Sequence, residues 1–130
     1  MSGAALKICR ERDEALVAEV ERADDFMGRL CGLMFRKALP SAGGLWLEPC
    51  NSIHMLFMRF PIDVVFARHL EPRGRIEVLA IRASVRPWIG MAFCFGSELA
   101  LELAAGRAAA VGLQVGEVLR TPEAEEAIAA

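Results

Sequence analysis

Lysine is nearly missing from this chain: it occurs only at Lys7 and Lys37, so arginine carries almost all the positive charge. A guanidinium suits carboxylate or phosphate pairing better than an ammonium does, although the compositional bias of a GC-rich genome accounts for the same excess. Basic charge is not in surplus either. The formal net charge is −2. Nucleic-acid binding needs a clustered basic surface, so no nucleic-acid partner is expected. Paired cysteines are also missing. Cys9, Cys31, Cys50 and Cys94 are widely and irregularly spaced, and none forms a C-x-x-C pair. That argues against a zinc ribbon or a redox dithiol. The expectation is four reduced, mostly buried thiols acting as small hydrophobes, which suits the cytoplasm. No apolar run is long enough to span a bilayer. The N-terminus, Met-Ser-Gly-Ala-Ala-Leu-Lys, has no charged leader followed by a long apolar stretch, so no secretory signal is expected. There is no G-x-S-x-G, no Walker loop, no H-E-x-x-H, no repeat and no low-complexity segment.

What is present is a slightly hydrophobic globular composition, 55% apolar and 25% charged over 130 residues. That is one domain with a single sizeable core. Leu6–Arg10 and Ala15–Arg22 read as a β-hairpin about the polar turn Arg12-Asp13-Glu14. Asp24 or Asp25 can cap a short helix over Phe26–Cys31, stopped by Gly32. Short strands follow at Leu45–Leu47, Arg75–Arg82, Glu98–Leu103 and Gly116–Leu119, and Ser52–Arg59 and Ile62–Ala67, separated by Pro61, read as one long bent strand or two consecutive ones. Pro87, Gly90 and Gly96 mark an irregular region around Trp88, and Ala108–Val111 reads as a helical turn ended by Gly112. Thr121-Pro122-Glu123 opens a helical tail over 121–130. The fold class is therefore mainly β: a compact antiparallel barrel-like sheet with one or two short helices.

Several blocks in order resemble one family. They are Gly32-Leu33-Met34-Phe35-Arg36, Gly43-Gly44-Leu45-Trp46, Ser52-Ile53-His54 with Met58, and Pro61-Ile62-Asp63-Val64-Val65-Phe66. Leu101-Glu102-Leu103-Ala104-Ala105-Gly106 and Gly112-x-x-x-Gly116-Glu117-Val118 complete the set. In this order and spacing they are similar to the domain-of-unknown-function 192 family, over roughly residues 14 to 120. The resemblance implies a compact β-rich domain with a barrel-like sheet and a short helix near the Gly-Leu-Met-x-Arg segment. It carries over no catalytic residue. Members often have secretion signals, and this N-terminus does not match one, so the expected location stays cytoplasmic.

Residues 52–63 are apolar enough for a core yet include His54, Arg59 and Asp63. Ionisable groups in such a segment are either satisfied by partners or put to use. If 52–59 is one strand, Ser52, His54, Leu56 and Met58 share a face. His54 could then act as a base, bond a ligand or bind a metal. A half-buried imidazole on a backbone carbonyl explains the residue equally well. Asp63 and Glu102 lie in apolar strands and need partners, and Arg36 and Arg59 are the natural ones. Cys50, His54 and Met58 would align as soft ligands on a helix. On a strand, Cys50 and His54 stand about 13 Å apart at roughly 3.3 Å per residue, so no metal or other cofactor is expected.

The leading expectation is a domain that binds a small molecule or a peptide segment in a cleft formed by Arg36, His54, Met58, Asp63 and Trp88. The first alternative is a hydrolase- or lyase-type enzyme with His54 as base and Asp63 or Glu102 in support. The second is an accessory module that adds a strand at a sheet edge. Either a monomer or a homodimer is compatible with the sequence.

Overall fold

Nine strands and one helical turn are found in a computed structural model that describes residues 6–23, 39–55 and 58–121. In chain order they are β1 (Leu6–Arg10), β2 (Leu16–Ala23), β3 (Gly43–Leu47), β4 (Ser52–His54) and β5 (Ile62–Leu70). Then come β6 (Arg75–Val85), β7 (Met91–Phe93), β8 (Leu99–Ala104), α1 (Arg107–Ala110) and β9 (Val118–Arg120). The expected helix over 26–31 and the helical tail after Thr121 lie outside the described residues.

Seven strands close a barrel in the order β1-β2-β3-β8-β5-β6-β9, and β4 and β7 form a separate two-stranded sheet. The β1–β2 hairpin is present, with Leu6 opposite Val20. One barrel pairing differs from an all-antiparallel sheet: β2 and β3 run parallel, with Glu19 opposite Gly43 and Arg22 opposite Trp46. Parallel neighbours require a long crossover, and residues 24–42 supply the chain for it. Gly44 is required where β2, β3 and β8 converge. A Cβ there would lie 2.8 Å from the Glu102 carbonyl oxygen and 3.0 Å from Val20 Cγ1.

Strand alternation divides the apolar residues into two cores. Ile8, Ala18, Val20, Trp46, Val65, Ala67, Ile76, Val78, Leu99, Leu101, Leu103 and Leu119 come from all seven barrel strands and fill the interior. Leu45, Leu47, Ile62, Val64, Phe66, Ala80 and Ala100 point the other way and are covered by Ile53, Met55, Met58, Val85 and Ala92. The β4–β7 pair is therefore a flap lying on the outer barrel wall. Its inner face is Ile53 opposite Ala92. Its outer face carries Ser52 opposite Phe93 and His54 opposite Met91.

Two local expectations are corrected. Ser52–Arg59 is not one strand: β4 ends at His54, and the Met58 N–H turns back to the Met55 carbonyl at 3.1 Å. Met58 is consequently buried in the second core and does not share the His54 face. The region around Pro87, Gly90 and Gly96 is only partly irregular, because β7 forms within it.

Candidate functional site

The flap is held by a small set of backbone bonds. The Met55 carbonyl accepts the N–H of Trp88 at 2.8 Å as well as that of Met58, and the Met55 N–H donates to the Gly90 carbonyl at 3.0 Å. The turn between β6 and β7 closes with the Gly90 N–H donating to the Arg86 carbonyl at 3.0 Å. Gly90 is needed for that closure, since a Cβ would collide with the Arg86 carbonyl and sit 2.7 Å from Val85 Cγ1. Trp88 takes a left-handed backbone (φ 69°). That conformation is strained for a bulky residue, and the turn imposes it while presenting the indole outward.

The outer surface of this flap is apolar and exposed. Trp88 (52%), Ile89 (76%), Met91 (77%), Phe93 (67%) and Phe95 (96%) all face solvent within eight residues. Scattered surface hydrophobes are ordinary, but a contiguous set marks an interaction surface. His54 stands among them, exposed and directly opposite Met91. Sequence alternation placed His54 and Ser52 on one face; it did not foresee that the neighbouring strand would add Met91 and Phe93.

Of the other residues expected to form a cleft with His54, Trp88 stands on the same flap, Met58 is buried beneath it and Asp63 lies elsewhere. Asp63 is fully buried and belongs to the interior parity of β5, with Val65 and Ala67. Its Oδ1 accepts the Ser84 N–H at 2.9 Å, and its Oδ2 accepts the N–H groups of Gly106 at 3.1 Å and Ala108 at 3.0 Å. The carboxylate thus fastens the end of β6 and the start of α1 to β5. It does not meet His54, which looks outward from the far side of the same wall. Arg36 lies outside the described residues.

Glu102 has the opposite parity from Asp63. It stands beneath the flap, with Leu45 and Val64 as cross-strand neighbours. One arginine therefore cannot serve both carboxylates from a single position. Cys50 lies near it. Burial pushes the Cys50 thiol up and the Glu102 charge raises it further, and its S–H donates to the Ser52 carbonyl at 3.3 Å. The thiol is kept neutral. Cys9, Cys50 and Cys94 are free and half-buried. Among the described residues no three His, Cys, Asp or Glu side chains cluster as metal ligands.

An imidazole–carboxylate pair does exist, and sequence reasoning missed it. His69 Nε2 lies 2.6 Å from Glu48 Oε2, and Trp46 Nε1 donates to Glu48 Oε1 at 3.0 Å. The Arg22 guanidinium covers the Trp46 ring at 5.1 Å from its centroid and reaches Glu48 at 3.8 Å. The His69 N–H donates to Glu98 Oε1 at 2.7 Å. The Glu48 carboxylate, the His69 imidazole and the Trp46 indole N–H each engage another member, so the cluster reads as a brace closing one end of the barrel. The signal for it was nonlocal: β3, β8 and β5 must first be set in register.

An open groove of about 300 Å³ elsewhere is lined by Glu11, Arg12, Arg75, Glu117 and Val118. Its charges neutralise one another through Arg75–Glu11 at 3.0 Å and Arg12–Glu117 at 3.2 Å. No helix among the described residues is long and apolar enough to cross a membrane.

Comparison with known proteins agrees with this architecture. The family model of DUF192, "Uncharacterized ACR", matches residues 8–121. A solved structure of a protein of unknown function from Novosphingobium aromaticivorans DSM 12444 is 23% identical, with a TM-score of 0.73 over 89% of this chain and 83% of that one. A putative transcription regulator from Sinorhizobium meliloti 1021 is 19% identical, with a TM-score of 0.76 over 91% of this chain and 92% of that one. At these identities the likeness is one of fold. No curated protein matches the chain.

Proposed function

The chain belongs to the DUF192 family, and within that family we propose that it is a binding module whose working surface is the outer face of the β4–β7 flap. The barrel is the scaffold. The occupant is an extended segment of a partner polypeptide with apolar side chains at alternate positions. One observation carries this reading: five large apolar side chains stand exposed between residues 88 and 95, on a two-stranded sheet and its flanking turns, anchored to a packed wall.

The chemistry of the surface favours an extended occupant. Among the described residues β7 pairs only with β4, so both are edge strands. A free edge offers unpaired N–H and C=O groups at strand spacing, and an added strand takes its affinity from them. Met91 and Phe93 are two residues apart, so their side chains rise on the same face and meet every second residue of such a segment. His54, opposite Met91, supplies one hydrogen-bonding group beside the apolar contacts.

A display selection of random short peptides on the immobilised protein tests the reading. Enriched peptides should alternate apolar residues and bind the doubly substituted variant Met91→Ser, Phe93→Ser about tenfold more weakly, about 1.4 kcal/mol. Both substituted positions are exposed, so the barrel should keep its fold. Selected peptides that bind the variant as well as the parent protein would refute the proposal.

A further inference from the structure

We propose that the segment received by the flap is acidic as well as apolar, with carboxylates placed to meet His54, Arg59 and Arg86. This rests on the docking reading above and adds the charge of the partner.

The stretches that build the flap and its flanks lack acidic residues, although Glu102 lies buried beneath the flap. Neither residues 49–62 nor residues 78–97 contain an aspartate or glutamate, although the chain holds 17. The basic residues in these stretches are His54, Arg59, Arg82 and Arg86, and all four are exposed. Elsewhere Arg10, Arg12, Arg22, Arg68, Arg75 and Arg120 each reach a carboxylate oxygen, and Arg107 donates to the carbonyls of Val17 and Leu16. Among the described residues Arg59, Arg82 and Arg86 reach none.

The fold gathers two of these arginines at one end of the flap. The Met55 carbonyl anchors both flanking turns, through Met58 N–H on one side and Trp88 N–H on the other. Arg59 follows the first turn directly. Arg86 opens the second, its own carbonyl holding the Gly90 N–H. His54 precedes Met55 on the outer face. The backbone therefore places His54, Arg59 and Arg86 around the Trp88 end of the flap, while Phe93 and Phe95 lie toward its other end. Guanidinium groups without internal partners beside an apolar strip complement carboxylates on the ligand. A second copy docking flap to flap does not supply them, because its own flap has none to offer.

The test is fluorescence anisotropy with three labelled peptides that alternate leucine with glutamate, with glutamine or with lysine. The glutamate peptide should bind about tenfold more tightly than the glutamine peptide at low salt, and the lysine peptide more weakly than either. Added salt should erode the preference. The variant Arg59→Gln, Arg86→Gln should lose most of the glutamate preference while holding the glutamine peptide unchanged. Equal binding of all three peptides overturns the charge inference and leaves the docking surface standing. Failure of all three, with no apolar sequence recovered by display selection, brings down the docking surface itself. Retention on phosphatidylglycerol vesicles that the glutamate peptide does not displace overturns the inference in favour of a lipid surface.

Discussion

The carbonyl of Met55 accepts the N–H of Trp88 at 2.8 Å, and with the Met55 N–H on the Gly90 carbonyl this contact fixes the turn that carries the exposed indole to the strand that carries His54. The two groups are far apart in the chain and adjacent in the flap. Met55 is itself fully buried in the second core, so the surface it positions is tied to the barrel wall.

Gly90→Ala should break this arrangement without touching the barrel interior. The added Cβ meets the Arg86 backbone and Val85 Cγ1. Overpacking of this kind costs about 1–3 kcal/mol. Calorimetry should show a modestly lower midpoint, and peptide binding should fall much further than stability does. Unchanged binding would mean that the turn does not shape the surface.

Asp63→Ala should destabilise the protein more than either Glu48→Ala or Asp13→Asn does. It strands the N–H groups of Ser84, Gly106 and Ala108, which the carboxylate satisfies. The expected loss is about 3 kcal/mol or more, read by urea denaturation. Asp63→Asn keeps one acceptor oxygen and should lose less. A loss for the alanine variant within about 0.5 kcal/mol, the range of ordinary surface substitutions, would remove the structural role assigned to Asp63.

Glu48→Ala should act on Trp46 and not on the flap. The buried Trp46 indole N–H would lose its acceptor, at a cost of about 1–3 kcal/mol. In a Trp88→Phe background the remaining emission reports Trp46 alone and should change in wavelength or yield. His54→Ala should leave that emission and the stability unchanged. The reverse pattern would transfer the bracing role from His69 to His54.

Acid should weaken the first hairpin through Asp13. The Arg10 guanidinium, bonded at 3.0 Å to each carboxylate oxygen, holds the Asp13 carboxyl below the usual carboxylate range. The Ala15 N–H adds to the effect, and partial burial opposes it. A depressed folded-state value contributes stability above the unfolded pKa, about 4, and loses it as pH falls through the folded one. Denaturation curves should therefore show a smaller loss on acidification below about pH 4 for Asp13→Asn than for the parent protein. Equal losses would show that the pair contributes nothing.

Local pattern carried much of the fold into the sequence. Alternation in Leu16–Arg22 and the turn at Arg12-Asp13-Glu14 are short-range features, and the hairpin formed as read. The same alternation correctly put Ser52 and His54 on one face of β4. It failed at Met58, because the Met58 N–H to Met55 carbonyl turn ends the extended backbone. The short strand Met91–Phe93 was hidden by its glycine neighbours, and with it the apolar partners of His54. The buried states of Asp63 and Glu102 were legible from their apolar neighbours. Their opposite directions were not, because side-chain parity decides which core each one enters. Pairing of His69 with Glu48 depends on three strands in register, which no local pattern encodes.

Chemical-shift mapping of the ¹⁵N-labelled protein with the leucine–glutamate peptide tests the location of the working surface most directly. The predicted result is saturable shifts in residues 52–55, at Arg59 and across residues 86–96, with the Glu48–His69 end of the barrel silent. Saturable shifts centred on Trp46, Glu48 and His69, with the flap unmoved, would contradict it.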